Sequence, residues 1–470
     1  MSDNLRKLIS ELTGKISDGT CDKKERTEAY STLCAVCGKE ELSISERWSL
    51  FCMLEHVAFV SDEYDLCDLN LREAYLSVFC DIRASLPKPD FNSLAFAAIS
   101  TLRFDKPPVV IVTRQLLGIG HAPTRRALDY AFTVQSKLGI PVVIINEAGL
   151  HIHDYPFIST DVRFNFVPEY SNGLSFGYKG INFPFFQNPS EMPDLQAISN
   201  MVAGICKIAP RLVLNVGGAC VTADLCSDFT KAAATACNTR IAVGMSEYLV
   251  LWREAKESDC DLFSHFPEYQ KLVTGFFNYV MPDESTLTQY SRSELSIPET
   301  AFVAITAGNR LGEETDRDFM LTVDEFLSEK TDAYVVFLGK VDNSGDLCNG
   351  LKNSERILFL GAKKDGSRVI SLADVLIQPT RKGGARAAFE ALFYGIPVIT
   401  TAYGDTADVA GSDFTVKDYP EMKRKLSEYH DDASVYARYS EKARERGKKL
   451  EDMESTLRGL FEDLEVLGEK

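Results

Sequence analysis

The chain has 470 residues, enough for two or three domains of ordinary size. Its 45% hydrophobic and 25% charged residues match an ordinary globular protein and exclude a disordered or fibrous chain. A net charge of −17 argues against nucleic acid or an anionic membrane as partner, because both reward clustered Lys and Arg.

Residues 1–100 read as helical: Leu5, Leu8, Ile9, Leu12 and Ile16 recur at helical spacing, as do Trp48, Leu50, Phe51, Met53 and Leu54. Pro87 and Pro89 punctuate the end of this region. Of the 12 cysteines, Cys21, Cys34, Cys37, Cys52, Cys67 and Cys80 fall here. Cys34 and Cys37 have CxxC spacing without a second pair, and His56 is the one histidine nearby, so small apolar side chains of a reduced protein are expected, not a zinc site. The start, MSDNLRKLISELTG, lacks an apolar core of signal-peptide length, and no run reaches about 18 apolar residues. The expected location is cytoplasmic, with no transmembrane segment. This region could bind an acceptor, mediate an oligomer or partner contact, or simply pack.

From Pro107 strands alternate with helices. A buried-strand run at 109–113 leads into a loop with Gly118 and Gly120. A helix with Leu128, Ala131, Phe132, Val134 and Leu138 on its apolar face then ends at Gly139, before a strand at 141–146: one Rossmann-type unit. His121 falls just beyond the C-terminal end of the first strand, where open α/β sheets place ligands. It is either a base taking a proton from an acceptor hydroxyl or a residue that caps the following helix or hydrogen-bonds in the loop. Arg125 and Arg126 could meet a ligand or lie on the surface; at least one is expected on the surface.

His151 and His153, with Asp154, fall on one side of an extended stretch, but no supporting ligand cluster accompanies them and no metal is expected. Residues 155–190, rich in Phe, Tyr, Asn, Pro and Gly, read as loops or irregular hairpins. A strand from Arg211 runs into Gly217-Gly218, with a helix expected over 222–236 and a short strand over 241–243.

Strands follow at 302–306, ending in Gly308-Asn309-Arg310, at 334–338 and at 357–360. The segment 373–411 is the most informative. Val375-Leu376-Ile377 is a buried strand, Gly383-Gly384 a turn, and a helix runs from Ala385 to Tyr394-Gly395 before Pro397 opens another strand. Free amides and the helix dipole make the N-terminus at Ala385 a site for an anion such as phosphate. Glu390, five residues into the helix, could reach a sugar hydroxyl beside it. Leu450, Met453, Leu457, Leu460 and Phe461 mark amphipathic C-terminal helices.

Asp374, Pro379, Gly383-Gly384, Glu390-Ala391, Gly395, Pro397 and Val398, in that order, resemble the donor-nucleotide motif of glycosyltransferases with two Rossmann-like domains, the B-type (GT-B) fold. Arg292-x-x-Leu295-x-Ile297-Pro298 resembles the family's interdomain junction. The resemblance implies an α/β protein with two Rossmann-like domains facing a cleft and an N-terminal helical extension. Residues 1–100 would be that extension, 101–288 the acceptor-side domain, 289–435 the domain binding a nucleotide-sugar donor, and 436–470 C-terminal helices packing back on the first domain.

It further implies that Arg310 and the amides of Gly383, Gly384 and Ala385 meet the donor diphosphate, with Thr380 beside them. Glu390 would hold the ribose, Lys382 would stand on the leaving-group side, His121 would be a candidate base, and Gly118, Gly120, Gly217 and Gly218 would form cleft loops.

Two departures stand out. Glu313, Glu314 and Thr315 occupy the place of a lysine that many members carry after their arginine, and Lys382 stands where the retaining family-four enzymes have the first of two glutamates. A glycine pair with one acid is more similar to the inverting branch of the peptide O-GlcNAc transferases and bacterial adhesin glucosyltransferases, so retention and inversion both stay open. The implied activity is a hexosyltransferase-type transfer from a nucleotide-diphosphate donor, a UDP-sugar, to a protein or glycan acceptor. The donor is a co-substrate; no cofactor is expected and, with no DxD pair at a strand end, no metal. The alternatives are a catalytically inactive fold relative serving as partner or acceptor-binding subunit, and a nucleotide-sugar epimerase.

Overall fold

The computed structural model describes residues 2–18, 20–61, 64, 68–90, 100–119, 121–150, 167–171, 173–281 and 284–467. His151, His153, Asp154 and Gly120 lie outside the described residues. Two units form, Met1–Gly275 with Glu454–Lys470, and Phe276–Met453.

The first unit begins with helices α1 (Asp3–Ser17), α2 (Lys23–Val36), α3 (Ile44–Val60) and α4 (Asp68–Ser85). Asp22 and Ser43 start α2 and α3 with capping boxes closed by Glu25 and Glu46, which satisfy amides that a helix leaves open. Trp48, Phe51 and Tyr75 pack as tilted rings in their shared core, with ring centres 5.6 Å and 5.2 Å apart for successive pairs. Cys34 and Cys37 are buried there, and burial pushes the Cys37 thiol up to about 12, as expected of an inert apolar side chain.

This core continues into Met192, Ile198, Val221, Leu225 and Met245 of the α/β part, so the helical extension is built onto the sheet domain. Polar contacts fasten it: the Trp48 indole donates to Gly149 O at 3.1 Å and the Tyr75 hydroxyl to Asp224 at 2.6 Å. Arg114 and Glu55 form an ion pair at 2.6 Å.

Among the described residues the first sheet has eight strands in the order β3-β4-β2-β1-β5-β6-β7-β8. They are β1 (Val109–Thr113), β2 (Val142–Asn146), β3 (Ser175–Tyr178), β4 (Ile181–Gln187), β5 (Leu212–Val216), β6 (Ala232–Thr235), β7 (Tyr248–Leu251) and β8 (Lys271–Thr274). All pairs are parallel except the β3–β4 hairpin. The apolar runs of β1, β2 and β5 are buried along their whole length, because a parallel sheet is covered on both faces.

Two expected elements are corrected. The helix over 222–236 is only Val221–Leu225 with a 3-10 turn Cys226–Asp228, and the alanine run behind it is strand β6. Alanine favours helix locally, but Ala232, Ala233 and Ala234 are fully buried between β5 and β7, where tertiary pairing overrides propensity. No strand forms over 241–243; the chain enters the sheet at Tyr248 instead.

The second unit holds six described strands in the order β11-β10-β9-β12-β13-β14. They are β9 (Phe302–Ala307), β10 (Ala333–Leu338), β11 (Ile357–Gly361), β12 (Val375–Ile377), β13 (Val398–Thr401) and β14 (Thr415–Val416), all parallel. Counted from β9 this is the doubly wound order 3-2-1-4-5-6. The strand order reverses between β9 and β12, and open sheets of this kind bind ligands outside the carboxyl ends of the strands at that reversal.

Arg292 braces the entry to β9. Its guanidinium donates to Leu372 O and Ala301 O, both at 2.8 Å, and to Asp374 at 3.1 Å, while Asp374 accepts the Val303 amide at 2.8 Å.

Candidate functional site

The carboxyl ends of β9 and β12 bring together most of the second unit's expected site residues. Beyond β9, Gly308 and Asn309 lead to Arg310, which starts the short helix Leu311–Glu314. Beyond β12, residues 379–384 turn back towards the same place. The two segments are tied: Gln378 Nε2 donates to Ala307 O at 2.9 Å, and Arg381 Nη2 donates to the same oxygen at 3.1 Å.

Gly384 takes φ 97°, and a Cβ there would collide with Thr406 Oγ1 and Arg381, so glycine is demanded by both conformation and space. The Thr406 hydroxyl donates to Gly383 O at 2.8 Å and holds the turn closed. The helix Ala385–Phe393 starts immediately afterwards with no side-chain cap. Its first intrahelical donor to the turn is Ala388 N, bonded to Gly384 O at 3.1 Å, so the Ala385, Arg386 and Ala387 amides precede the helical ladder. Three N–H groups and a helix dipole with no capping side chain give this end the chemistry to hold an anion. Thr380 beside it has its amide on the Tyr419 hydroxyl at 3.0 Å and its own hydroxyl 3.0 Å from that of Thr401.

Cationic charge at this end is organised by one carboxylate. Arg310 Nη2 donates to Glu314 Oε1 at 2.7 Å, and Arg381 Nη1 to Glu314 Oε2 at 2.7 Å. The Arg381 side chain is 4% exposed against 31% for Arg310, so Arg381 is the inner brace and Arg310 the outer, accessible cation. Glu314 is the residue that sequence reasoning missed, reading it only as a lost lysine. The four-residue spacing Arg310–Glu314 after a strand end was the available signal.

Glu390 lies on the same helix, its carboxylate accepting from Arg386 Nε at 2.7 Å. The Arg386 guanidinium in turn lies 5.5 Å from the ring centres of both Tyr279 and Phe389. Lys382 O accepts the Asp405 amide at 2.6 Å, which anchors its backbone at the turn.

In the first unit, the loop after β1 is closed by His121 N donating to Gly118 O at 2.9 Å. The His121 ring lies with Nδ1 2.9 Å from Thr124 Oγ1, and burial pushes its pKa below the ordinary value. His121 is the residue before the helix Ala122–Ser136 but makes no side-chain cap bond. Arg126 is buried against Tyr130, while Arg125 Nε donates to Ile119 O at 3.1 Å. Gly217 and Gly218 take φ 126° and 73° after β5. The helix that follows them is already capped from within: Glu147 Oε1, just past β2, accepts the Thr222 amide at 2.7 Å. Among the described residues no group of three His, Cys, Asp or Glu is arranged to hold a metal, and no helix is long and apolar enough to cross a membrane.

Residues 289–446 match the family model described as glycosyl transferases group 1. No curated protein sequence matches the chain. Among solved structures, a glycosyltransferase from Rickettsia africae aligns at TM-score 0.53 and 13% identity, over 78% of this chain and 100% of that one. HepE from Anabaena, solved with UDP and glucose, aligns at TM-score 0.53 and 13% identity, over 77% and 100%. A variant of the O-GlcNAc transferase from Thermobaculum terrenum aligns at TM-score 0.52 and 13% identity, over 99% of this chain and 98% of that one. At these identities the likeness is one of fold: two units, each with a largely parallel sheet.

Proposed function

We propose that the chain is a glycosyltransferase that moves a sugar from a nucleotide-diphosphate donor, a UDP-sugar, to a protein or glycan acceptor without a metal. One observation carries the reading: within the span that matches the glycosyl transferases, the accessible Arg310 is linked through Glu314 and Arg381 to the turn before the uncapped helix end at Ala385, where the strand order reverses. Breaking a sugar–diphosphate bond leaves negative charge on the diphosphate. Backbone N–H groups and a guanidinium fixed beforehand stabilise that charge as it develops. The Gly383, Gly384 and Ala385 amides and Arg310 take this role, with Thr380 alongside. Lys382 adds a cation on the leaving-group side, and Glu390 holds the ribose. The HepE structure, with UDP and glucose bound, supports a uridine nucleotide as the first donor to try.

Calorimetric titration with UDP tests the donor site. Binding is expected, weakened at least about tenfold by R310A, the worth of one charge-assisted hydrogen bond. E390A is expected to weaken it as well. Absence of binding at millimolar UDP sinks the assignment. The replacement of the first glutamate by Lys382 favours a second reading, a donor-binding partner subunit without activity of its own. Hydrolysis assays over a panel of nucleotide sugars separate the two, since only an active transferase releases free nucleotide.

A further inference from the structure

We propose that Thr124 is a positioning residue that fixes His121 in the tautomer with its proton on Nε2, so that the ring offers a substrate oxygen an N–H donor instead of a base. The identity of that oxygen rests on the transferase reading; the tautomer does not.

The argument is one of hydrogen-bond capacity. A threonine hydroxyl has one proton to give and two lone pairs to receive with. At Thr124 one lone pair is taken by the Leu117 amide, which donates to Oγ1 at 2.8 Å. The residue is fully buried, so the hydroxyl cannot turn to bulk water. Its proton has His121 Nδ1, 2.9 Å away, as acceptor. If Nδ1 carried the imidazole proton instead, that N–H would point at Oγ1 and strand the hydroxyl proton in a dry site, an unmade hydrogen bond of the kind folded proteins avoid.

Leu117, His121 and Thr124 thus form one closed relay across the loop after β1, and the His121 amide on Gly118 O, at 2.9 Å, holds it in place. Burial disfavours the imidazolium, so the ring is neutral at neutral pH and the position of its single proton matters. With Nδ1 occupied as acceptor, Nε2 bears the proton and can only donate. This replaces the proton-accepting role that the sequence suggested for His121.

The test is spectroscopic and needs no substrate. In the full-length protein labelled with nitrogen-15 histidine, long-range proton–nitrogen correlations distinguish the protonated from the bare ring nitrogen, and the His121 signals are assigned by their loss in H121Q. The expected result is an Nε2–H ring in the wild type and in T124S, and a shift towards Nδ1–H in T124V. An Nδ1–H ring in the wild type, or a T124V spectrum unchanged from it, overturns the proposal. Should T124V fail to fold, the wild type and T124S still decide.

Activity adds a second readout. H121Q, whose amide keeps an N–H donor, is expected to retain sugar transfer to within about tenfold of wild type, roughly one hydrogen bond's worth, while H121A falls further. H121Q as inactive as H121A overturns the donor role. A chain that transfers no sugar at all refutes the transferase reading and leaves the tautomer to the spectrum.

Discussion

Arg381 donates to Glu314 at 2.7 Å across a spacing of 67 residues, from a side chain only 4% exposed. The same carboxylate receives Arg310 on its other oxygen. Two guanidinium groups thus share one carboxylate, which offsets their mutual repulsion and leaves one net positive charge. Burial, with a smaller push from Arg310, holds the Arg381 guanidinium below its ordinary value, although Glu314 pulls the other way. The pair ties the loop beyond β9 to the loop beyond β12.

Breaking this pair from the buried side should be costly. R381M removes the cation, leaves Glu314 with Arg310 alone and strands Ala307 O on one donor. The expected loss is about 1–3 kcal/mol of unfolding free energy, the scale of a hydrogen bond to a charged group lost from a buried site. Urea denaturation measures it; a loss below about 0.5 kcal/mol, typical of an exposed pair, would mean that Arg381 is not a brace.

G384A tests the turn itself. A side chain there must adopt a strained φ and displace Thr406 or Arg381. A destabilisation of about 1–3 kcal/mol is expected, together with weaker UDP binding as the turn opens. If the variant matches the wild type in both thermal melting and calorimetry, the turn is less constrained than its geometry implies.

Burial holds the His121 pKa below its ordinary 6.5, and this fixes the sign of a pH effect. Below that value the unfolded chain takes up a proton that the native ring resists, so the unfolded state binds more protons and native stability falls as the pH falls. The stability of wild type relative to H121Q should therefore decline between about pH 7.5 and about pH 5, a window set by that linkage. A difference that stays constant over this range contradicts a buried, neutral ring.

The helical extension should behave as part of the first unit. E55A leaves Arg114, itself 5% exposed, without the carboxylate paired at 2.6 Å. A loss of about 3 kcal/mol is expected, within a single cooperative transition because the hydrophobic core is shared. Separate melting of residues 1–90 from the α/β part, seen by limited proteolysis, would show that the shared core is too weak to couple them.

What the sequence by itself determined was local. The strand at Val375–Ile377, the turn at Gly383-Gly384 and the helix start at Ala385 were legible because apolar runs, glycine turns and helix stops act over a few neighbouring residues. The uncapped helix end followed directly from them. The tertiary structure decided whatever depends on partners far along the chain. Ala232–Thr235 is a strand because two neighbours flank it, against its local preference. The amide of Thr222 is satisfied by Glu147, 75 residues away, so the loop at Gly217-Gly218 leads into a helix with an internal carboxylate at its start. Arg310 and Arg381 are joined by Glu314, which in sequence looked like the loss of a cation. Periodicity and turn chemistry carry no record of such pairings, because a carboxylate's energy depends on what the fold places beside it.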